Sequence, residues 1–408
     1  MADGLIGTAP PAHGARMPPV ALRVALVYLA ARLVTTVFLA VAAAQAGPGT
    51  RFGPDATIAD LVVGWDATWY WYLAVTGYPS ELPRTDDGLV AENAWAFMPA
   101  YAFLARALGT VLGGWGTGAL VISLLAGYGA ALVLHRLLRD RLDGSAATWA
   151  VVFFCAGPLA ALFQVGYAES LFLLFLLLGL LCLQRRRYGW LYALIPLMGF
   201  TRPGVLAFAL LLALFCLWRW SQRRTDPLRT GETVHIVTLG ALAVAVGFSW
   251  QFIAAAVTGE PGAYLATELA WRRNWIAGAD GGFIPFEGFL EGAAFWGRTW
   301  GIGEGWAFVL LAVLVVGFSL ALVLLPQVRR LGMPVRLWSA SYALYLLAVF
   351  FPQSSTFRLL LPLTPLWGAI AAPRAWWWRW GVLALCLLGQ WWWIWNMYGQ
   401  GRTFWQIP

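Results

Sequence analysis

Trp95-Ala96-Phe97-Met98-Pro99-Ala100-Tyr101-Ala102-Phe103-Leu104-Ala105-Arg106-Ala107-Leu108-Gly109-Thr110-Val111-Leu112-Gly113 is the stretch on which the fold turns. It is apolar enough to be drawn as a membrane span, and whether it crosses sets the side on which every later loop lies. Apolar runs at about 20–44, 117–134, 146–162, 167–184, 188–201, 203–220, 234–257, 304–326, 335–352, 357–372 and 378–396 read as eleven spans. With the N-terminus inside and 95–113 not crossing, the inner loops hold Arg136, Arg139 and Arg141, then Arg185 to Arg187. Arg219, Arg223, Arg224 and Arg229 follow, then Arg329, Arg330 and Arg336, and last Arg374 and Arg379. That is a consistent positive-inside pattern. If 95–113 crossed, all of these arginines would face outward. Trp65–Tyr78 and Trp95–Leu112 therefore read as helices lying on or dipping into the outer leaflet, where Trp and Tyr are favoured.

Composition agrees with an all-α polytopic membrane protein. Of the 408 residues 61% are hydrophobic and 11% charged, with mean hydropathy +0.70; a soluble domain is nearer a quarter charged. The net charge of +8 comes from arginine alone, since the chain has no lysine. Those arginines sit in short loops between spans, so no nucleic-acid partner is expected. Cys155, Cys182, Cys216 and Cys386 lie scattered in apolar runs, and His13, His135 and His235 form no cluster with them. No disulfide framework, metal site or cofactor site is read from them. The run at 20–44 is too long for a signal-peptide core and reads as a retained anchor. Residues 1–19 read as a disordered cytoplasmic tail, 20–396 as the transmembrane domain and 397–408 as an outer tail. Within the domain, 45–116 is the first outer loop and 258–303 a large second one.

On this map the acids gather outside, among them Asp66, Glu92, Glu169, Glu268, Asp280, Glu287 and Glu304. Asp66 lies between Trp65 and Trp69. A carboxylate costs about 2.5–3.5 kcal/mol at the hydrocarbon centre, so it reads as a general base, or else as an N-cap serving structure alone. Glu92-Asn93 is either the cap of the next surface helix or a polar contact for an acceptor. Glu169 opens the fourth span in Tyr167-Ala168-Glu169-Ser170, where an acid also suits the helix dipole. Two arginines lie on the outer side against the charge bias. Arg202 sits in Thr201-Arg202-Pro203-Gly204, and Arg358 closes the run Gln353-Ser354-Ser355-Thr356-Phe357-Arg358. Each is a phosphate contact, to which the guanidinium fork is suited, or a partner for Glu92 or Glu169. Arg272 and Arg273, in the large outer loop, are further phosphate candidates. Arg32, mid-span in the first helix, must face the protein interior, paired or phosphate-bound.

Trp65-Asp66-Ala67, then Gly77-Tyr78, then Ala96-Phe97-Met98-Pro99 resemble the first outer loop of the GPI mannosyltransferase II-like (PIG-V-like) proteins. There the pattern is Trp-Asp-aromatic, Gly-Tyr and Ala-Phe-Phe-Pro. Tyr167-Ala168-Glu169-Ser170, Thr201-Arg202 and Gln353 to Arg358 resemble later landmarks of that family. Met98 stands where the family has an aromatic, and Thr68-Trp69 replace the residues that commonly follow the Asp. The resemblance implies the integral-membrane GT-C fold and a lipid-phosphate-linked sugar donor, polyprenyl-phosphate mannose. It implies a catalytic role for Asp66 and transfer with inversion. The acceptor it implies is a bacterial-type outer-leaflet glycolipid or glycan, such as a phosphatidylinositol mannoside or lipoglycan. Trp65, Trp69, Glu92, Asn93, Glu169 and Gln353 are then substrate contacts; Arg358, Arg202, Arg272 and Arg273 hold the donor phosphate. The site would face outward from the plasma membrane.

The chemistry is self-consistent. Glycosyl transfer passes through an oxocarbenium-like state and needs a base for the acceptor hydroxyl and a charge clamp for the leaving phosphate. A lipid or sugar transporter would favour midplane charges and internal repeats, and no repeat is visible. A non-catalytic subunit of a glycosyltransferase complex would not need Asp66.

The arginine map predicts that single cysteines at positions 85 and 280 react with an impermeant thiol reagent on intact cells, and those at 140, 186, 223 and 332 do not. Labelling at 140 from outside would put segment 95–113 across the membrane.

Overall fold

The computed structural model describes residues 19–273, 282–401 and 408. Almost all of the expected tail 1–19, residues 274–281 of the large loop (with Trp275 and Asp280), and residues 402–407 of the expected tail 397–408 lie outside the described residues. Among the described residues every regular element is helical, and strand-like pairing is confined to one bridge between Arg84 and Val90. Helix α1 spans Val20–Ala44. Short α2 (Ile58–Val62), α3 (Asp66–Thr76) and α4 (Pro99–Leu112) follow, then α5 (Trp115–Arg139), α6 (Gly144–Ala156) and α7 (Glu169–Gln184). Next come α8 (Leu191–Gly199), α9 (Val205–Ser221), α10 (Thr230–Thr258), α11 (Ala263–Arg273) and α12 (Glu287–Thr299). The chain continues through α13 (Glu304–Leu324), α14 (Pro326–Arg329), α15 (Met333–Val349), α16 (Thr356–Leu359), α17 (Trp367–Ala371) and α18 (Trp376–Ile394).

Four helices, α1, α5, α10 and α13, are long and apolar enough to cross a membrane by length and composition. Shorter apolar helices pack among them, and an all-α membrane protein fits this arrangement. Several expected spans are interrupted. The run at 146–162 ends as a helix at Ala156, because Gly157-Pro158 cannot continue the ladder; a 3₁₀ turn, Ala160–Phe163, follows. The run at 188–201 reduces to α8, nine residues with Pro196 inside, and Gly204 then turns the chain at φ 128°. The run at 357–372 is no single helix. Pro362 and Pro365 divide it into α16, a 3₁₀ turn at Leu361–Leu366, and α17.

The decisive stretch 95–113 forms α4, whose 14 residues are about 21 Å long, short of a hydrocarbon core of roughly 30 Å. It starts at Pro99, stops at Gly113 in the left-handed region, and folds back on α5. The Tyr101 hydroxyl donates to the Ala119 carbonyl at 3.0 Å and meets Ser123 at 2.8 Å. At Gly118 the two backbones touch: a Cβ there would lie 2.4 Å from the Ala105 carbonyl oxygen.

Broken helices leave buried carbonyls to satisfy, and Arg32 does part of this. Its guanidinium, 5% exposed, donates to the Cys155 carbonyl at 2.6 Å and to that of Ala160, on either side of the Gly157-Pro158 break. Tyr28 and Phe163 lie against it at 5.2 and 5.4 Å. Gln390 supplies another donor, to the Gly157 carbonyl at 3.2 Å. So the buried cation of α1 is paired with helix-end carbonyls. A buried acceptor left without its donor costs about 1–3 kcal/mol. Arg32→Leu should therefore lower the thermal midpoint of the detergent-purified protein by several degrees, with Arg32→Lys intermediate. An unchanged midpoint in Arg32→Leu would mean that these carbonyls are satisfied in another way.

Candidate active site

Helix breaks bring four charges together at one end of the bundle. Asp66 is the first residue of α3, placed there by Trp65, whose backbone has φ 57°. Positive φ is strained for a bulky residue. It is held because the indole N–H of Trp65 donates to the Met397 carbonyl at 2.9 Å and the Arg51 guanidinium lies 4.2 Å over its ring. The Asp66 amide donates to the Tyr167 hydroxyl at 3.3 Å. Glu169 opens α7, Arg202 lies in the break between α8 and α9, and Arg358 lies on α16. The Tyr342 hydroxyl of α15 donates to the Leu359 carbonyl at 2.7 Å and fixes that short turn.

The charges alternate. Arg358 donates to Asp66 at 2.5 Å and lies 3.4 Å from Glu169, while Glu169 also pairs with Arg202. The Tyr167 ring lies 5.3 Å from the Arg358 guanidinium carbon. Side-chain exposures are 25% for Asp66, 16% for Arg202, 11% for Arg358 and 4% for Glu169. Asp66 is thus the member most open to a ligand, and Glu169 the buried pivot between two guanidinium groups. Charges this deep persist only when paired. Even so, Arg358 Nε reaches Glu169 only at 3.4 Å, without hydrogen-bond geometry, and the indole N–H of nearby Trp271 is buried with no acceptor among the described residues. Unused buried donors of this kind call for an explanation, and an anionic or hydroxylated ligand provides one.

The other residues singled out from sequence divide clearly. Trp69 lies beside the cluster, stacked on Phe97 with centroids 5.7 Å apart and edge-on to Trp271 at 5.5 Å. Asn93 caps the turn Ala94–Ala96 through the Trp95 amide at 3.0 Å and donates to the Thr267 hydroxyl at 2.9 Å, tying α11 to this segment. Glu92, its neighbour, is partly buried. Trp65 turns its ring toward Met397 and Arg51. Gln353 offers its carbonyl to Thr356 ahead of α16. Arg272 pairs with Glu287 and Glu291 of α12, and Arg273 donates to the Val90 carbonyl. Neither of these two arginines joins the Asp66 cluster. Tyr167, named only as part of a motif, is a central contact, and Glu268 was no more than one of several outer acids. No local spacing marks either one.

A cleft of about 700 Å³ opens at the far end of α7, lined by Arg186, Tyr188, Asp226, Arg229, Glu232 and His235 among others. Its charges neutralise one another, with Arg186 on Asp226 and Arg219 on both Asp226 and Glu232. It holds none of the Asp66 cluster. Among the described residues no group of His, Cys, Asp and Glu is placed to hold a metal ion.

No protein-family model matches the chain, and no curated protein matches it. Among solved structures it is similar to ArnT from Cupriavidus metallidurans bound to undecaprenyl phosphate, with 17% identity and a TM-score of 0.49 over 90% of this chain and 63% of that one. It is also similar to the archaeal oligosaccharyltransferase AglB from Archaeoglobus fulgidus in complex with an inhibitory peptide and a dolichol-phosphate. There the identity is 13% and the TM-score 0.43, over 90% of this chain and 54% of that one. The chain therefore spans less than two thirds of the length of either protein.

Proposed function

We propose that this chain is a GT-C-type membrane glycosyltransferase that moves a sugar, mannose in the first instance, from a polyprenyl-phosphate donor to an outer-leaflet glycolipid or glycan. The observation that carries this reading is the direct contact of Asp66 with Arg358. It joins a carboxylate fit to take a proton and a guanidinium fit to hold a phosphate, from residues 292 apart in sequence.

Donor and carboxylate compete for one cation. As the donor phosphate takes the Arg358 fork, with Arg202 behind it, Asp66 is released toward the acceptor. The acceptor hydroxyl gives its proton to Asp66 while its oxygen bonds to the anomeric carbon. The bond from that carbon to the phosphate oxygen breaks, and the electron pair stays on the phosphate, where Arg358 meets the growing charge. Attack opposite the leaving group inverts the anomeric centre. The phosphate leaves as an anion and needs no general acid. Glu169 keeps both arginines aimed and ionised. The lipid tail of the donor would lie along the apolar helices, which explains why sugar chemistry is placed in a membrane fold.

Two outcomes follow for the purified protein with undecaprenyl-phosphate-mannose. Asp66→Asn should lower turnover by about 10²–10⁴, the range of a general base, while binding undecaprenyl phosphate at least as tightly as wild type, because Arg358 is freed. Turnover near wild type would remove Asp66 from proton transfer. Arg358→Ala should reduce donor kcat/KM by about 10- to 150-fold, the equivalent of one charge-assisted hydrogen bond of roughly 1.5–3 kcal/mol. Arg358→Lys should recover only part, because lysine lacks the fork. Unaltered donor kinetics in a monodisperse Arg358→Ala protein would make the residue structural.

A further inference from the structure

Helix α11 lies across the segment that carries Asp66, and one of its faces is chemically distinct. Thr267 is pinned to Asn93, and Trp271 meets both Trp69 and Phe97, at 5.5 and 6.1 Å. Glu268 stands three residues before Trp271, as Asp66 stands three before Trp69, so each carboxylate lies one helical turn from the same indole pair. Tyr264, one turn back on α11, holds its hydroxyl near enough to the Glu268 carboxyl to favour its charged form. Tyr345 of α15 is close enough to feel the charges of both Glu268 and Arg202. Arg202 in turn belongs to the Asp66 cluster. Among the described residues no cation pairs with Glu268, whereas Asp66 and Glu169 are each held by arginine. Part of its surface remains open.

We propose that Glu268, Trp271, Trp69, Tyr264 and Tyr345 form the acceptor subsite, and that they select an acceptor sugar by a pair of adjacent hydroxyl groups. This rests on the glycosyltransferase reading above. An ionised carboxylate accepts from two hydroxyls at once. Trp271 adds a buried, unused N–H donor for a ring or hydroxyl oxygen, and the aromatic rings offer an apolar wall to a sugar face. A carboxylate with no cation on it among the described residues is the one able to exchange its partner for a neutral polyol. Asp66 takes the proton of the attacking hydroxyl, and Glu268 holds its neighbours.

The pH dependence follows from the same surroundings. Burial pushes the Glu268 carboxyl up to about 7, against the opposing pull of the Tyr264 hydroxyl. The facing groups are Tyr264 on its own helix and Tyr345 on α15, with Arg202 beyond. The 243–258 part of α10 and the Ala94–Ala96 turn, both packed near α11, carry no titratable side chain. Below about 7 the protonated carboxyl loses half its capacity to accept, so acceptor affinity should fall as pH falls through that value.

The test uses the full chain in lipid nanodiscs with undecaprenyl-phosphate-mannose as donor, and octyl α-mannopyranoside and its 2-deoxy analogue as acceptor probes. Three quantities are read: KM for each acceptor probe, KM for the donor, and donor cleavage to water without acceptor. Glu268→Gln, nearly isosteric, should raise KM for octyl mannoside by about tenfold or more. Donor KM should shift far less than acceptor KM, and monodisperse elution reports an intact fold. The wild-type preference over the 2-deoxy probe should vanish in the variant, and its acceptor KM should no longer rise as pH drops below 7. An unchanged acceptor KM, an equal rise for both probes, or no saturation by octyl mannoside would overturn the subsite while donor cleavage still stood. A wild-type protein that cleaves no polyprenyl-phosphate sugar would overturn the function itself, and the subsite with it.

Discussion

The contact between Asp66 and Arg358 is the interaction around which the site is built. It connects the first turn of α3 to α16, and through Glu169 and Arg202 it reaches the start of α7 and the break before α9. Each charge alone would be costly at such burial. Alternation makes the set tolerable, since every guanidinium has a carboxylate and Glu169 serves two of them. An arrangement held by alternating ion pairs satisfies its own charges and still leaves each guanidinium within reach of an added anion. One further anion can displace a carboxylate without leaving any cation bare.

Such a cluster requires helices that stop. α7 begins at Glu169, α8 and α9 are parted at 200–204, and the 350–367 segment is broken by prolines. Each interruption places a charged side chain of the cluster at or beside a helix end. Interruption leaves carbonyls without donors, and the same molecule supplies them. Arg32 and Gln390 span the Gly157-Pro158 break, the Trp338 indole donates to the Pro362 carbonyl at 2.8 Å, and Tyr342 holds the Leu359 carbonyl. Polar side chains in the apolar core are thus spent on the backbone.

The aromatic residues have two separate tasks. Trp376, Trp377 and Trp380 are exposed and suit an interfacial belt. Trp69, Phe97 and Trp271 instead join α3 to α11, while Tyr78, Trp95 and Trp250 form a second packed group beside them. Because α11 is tethered at Thr267 and Trp271, Glu268 sits on a helix fixed to the segment that carries Asp66, outside the ion pairs of the cluster.

Hydropathy runs determined the helical class, and four of the eleven runs read as spans form the long apolar helices α1, α5, α10 and α13. These are local quantities, set by about twenty successive residues. Asp66, Arg202, Arg358 and Glu169 could be picked out because a charge beside an apolar run has a cost visible in one dimension. Their mutual pairing was not legible: Arg202 had two candidate acids and a phosphate as alternatives, and only packing shows Glu169 as its partner. Arg272 looked equivalent to Arg358 in sequence, yet tertiary structure gives it to Glu287 and Glu291. Helix length at 357–372 was overestimated because hydropathy does not register the loss of backbone donors at Pro362 and Pro365. Whether a side chain reaches a neighbour depends on where distant helices end, and that is decided by the packed chain as a whole.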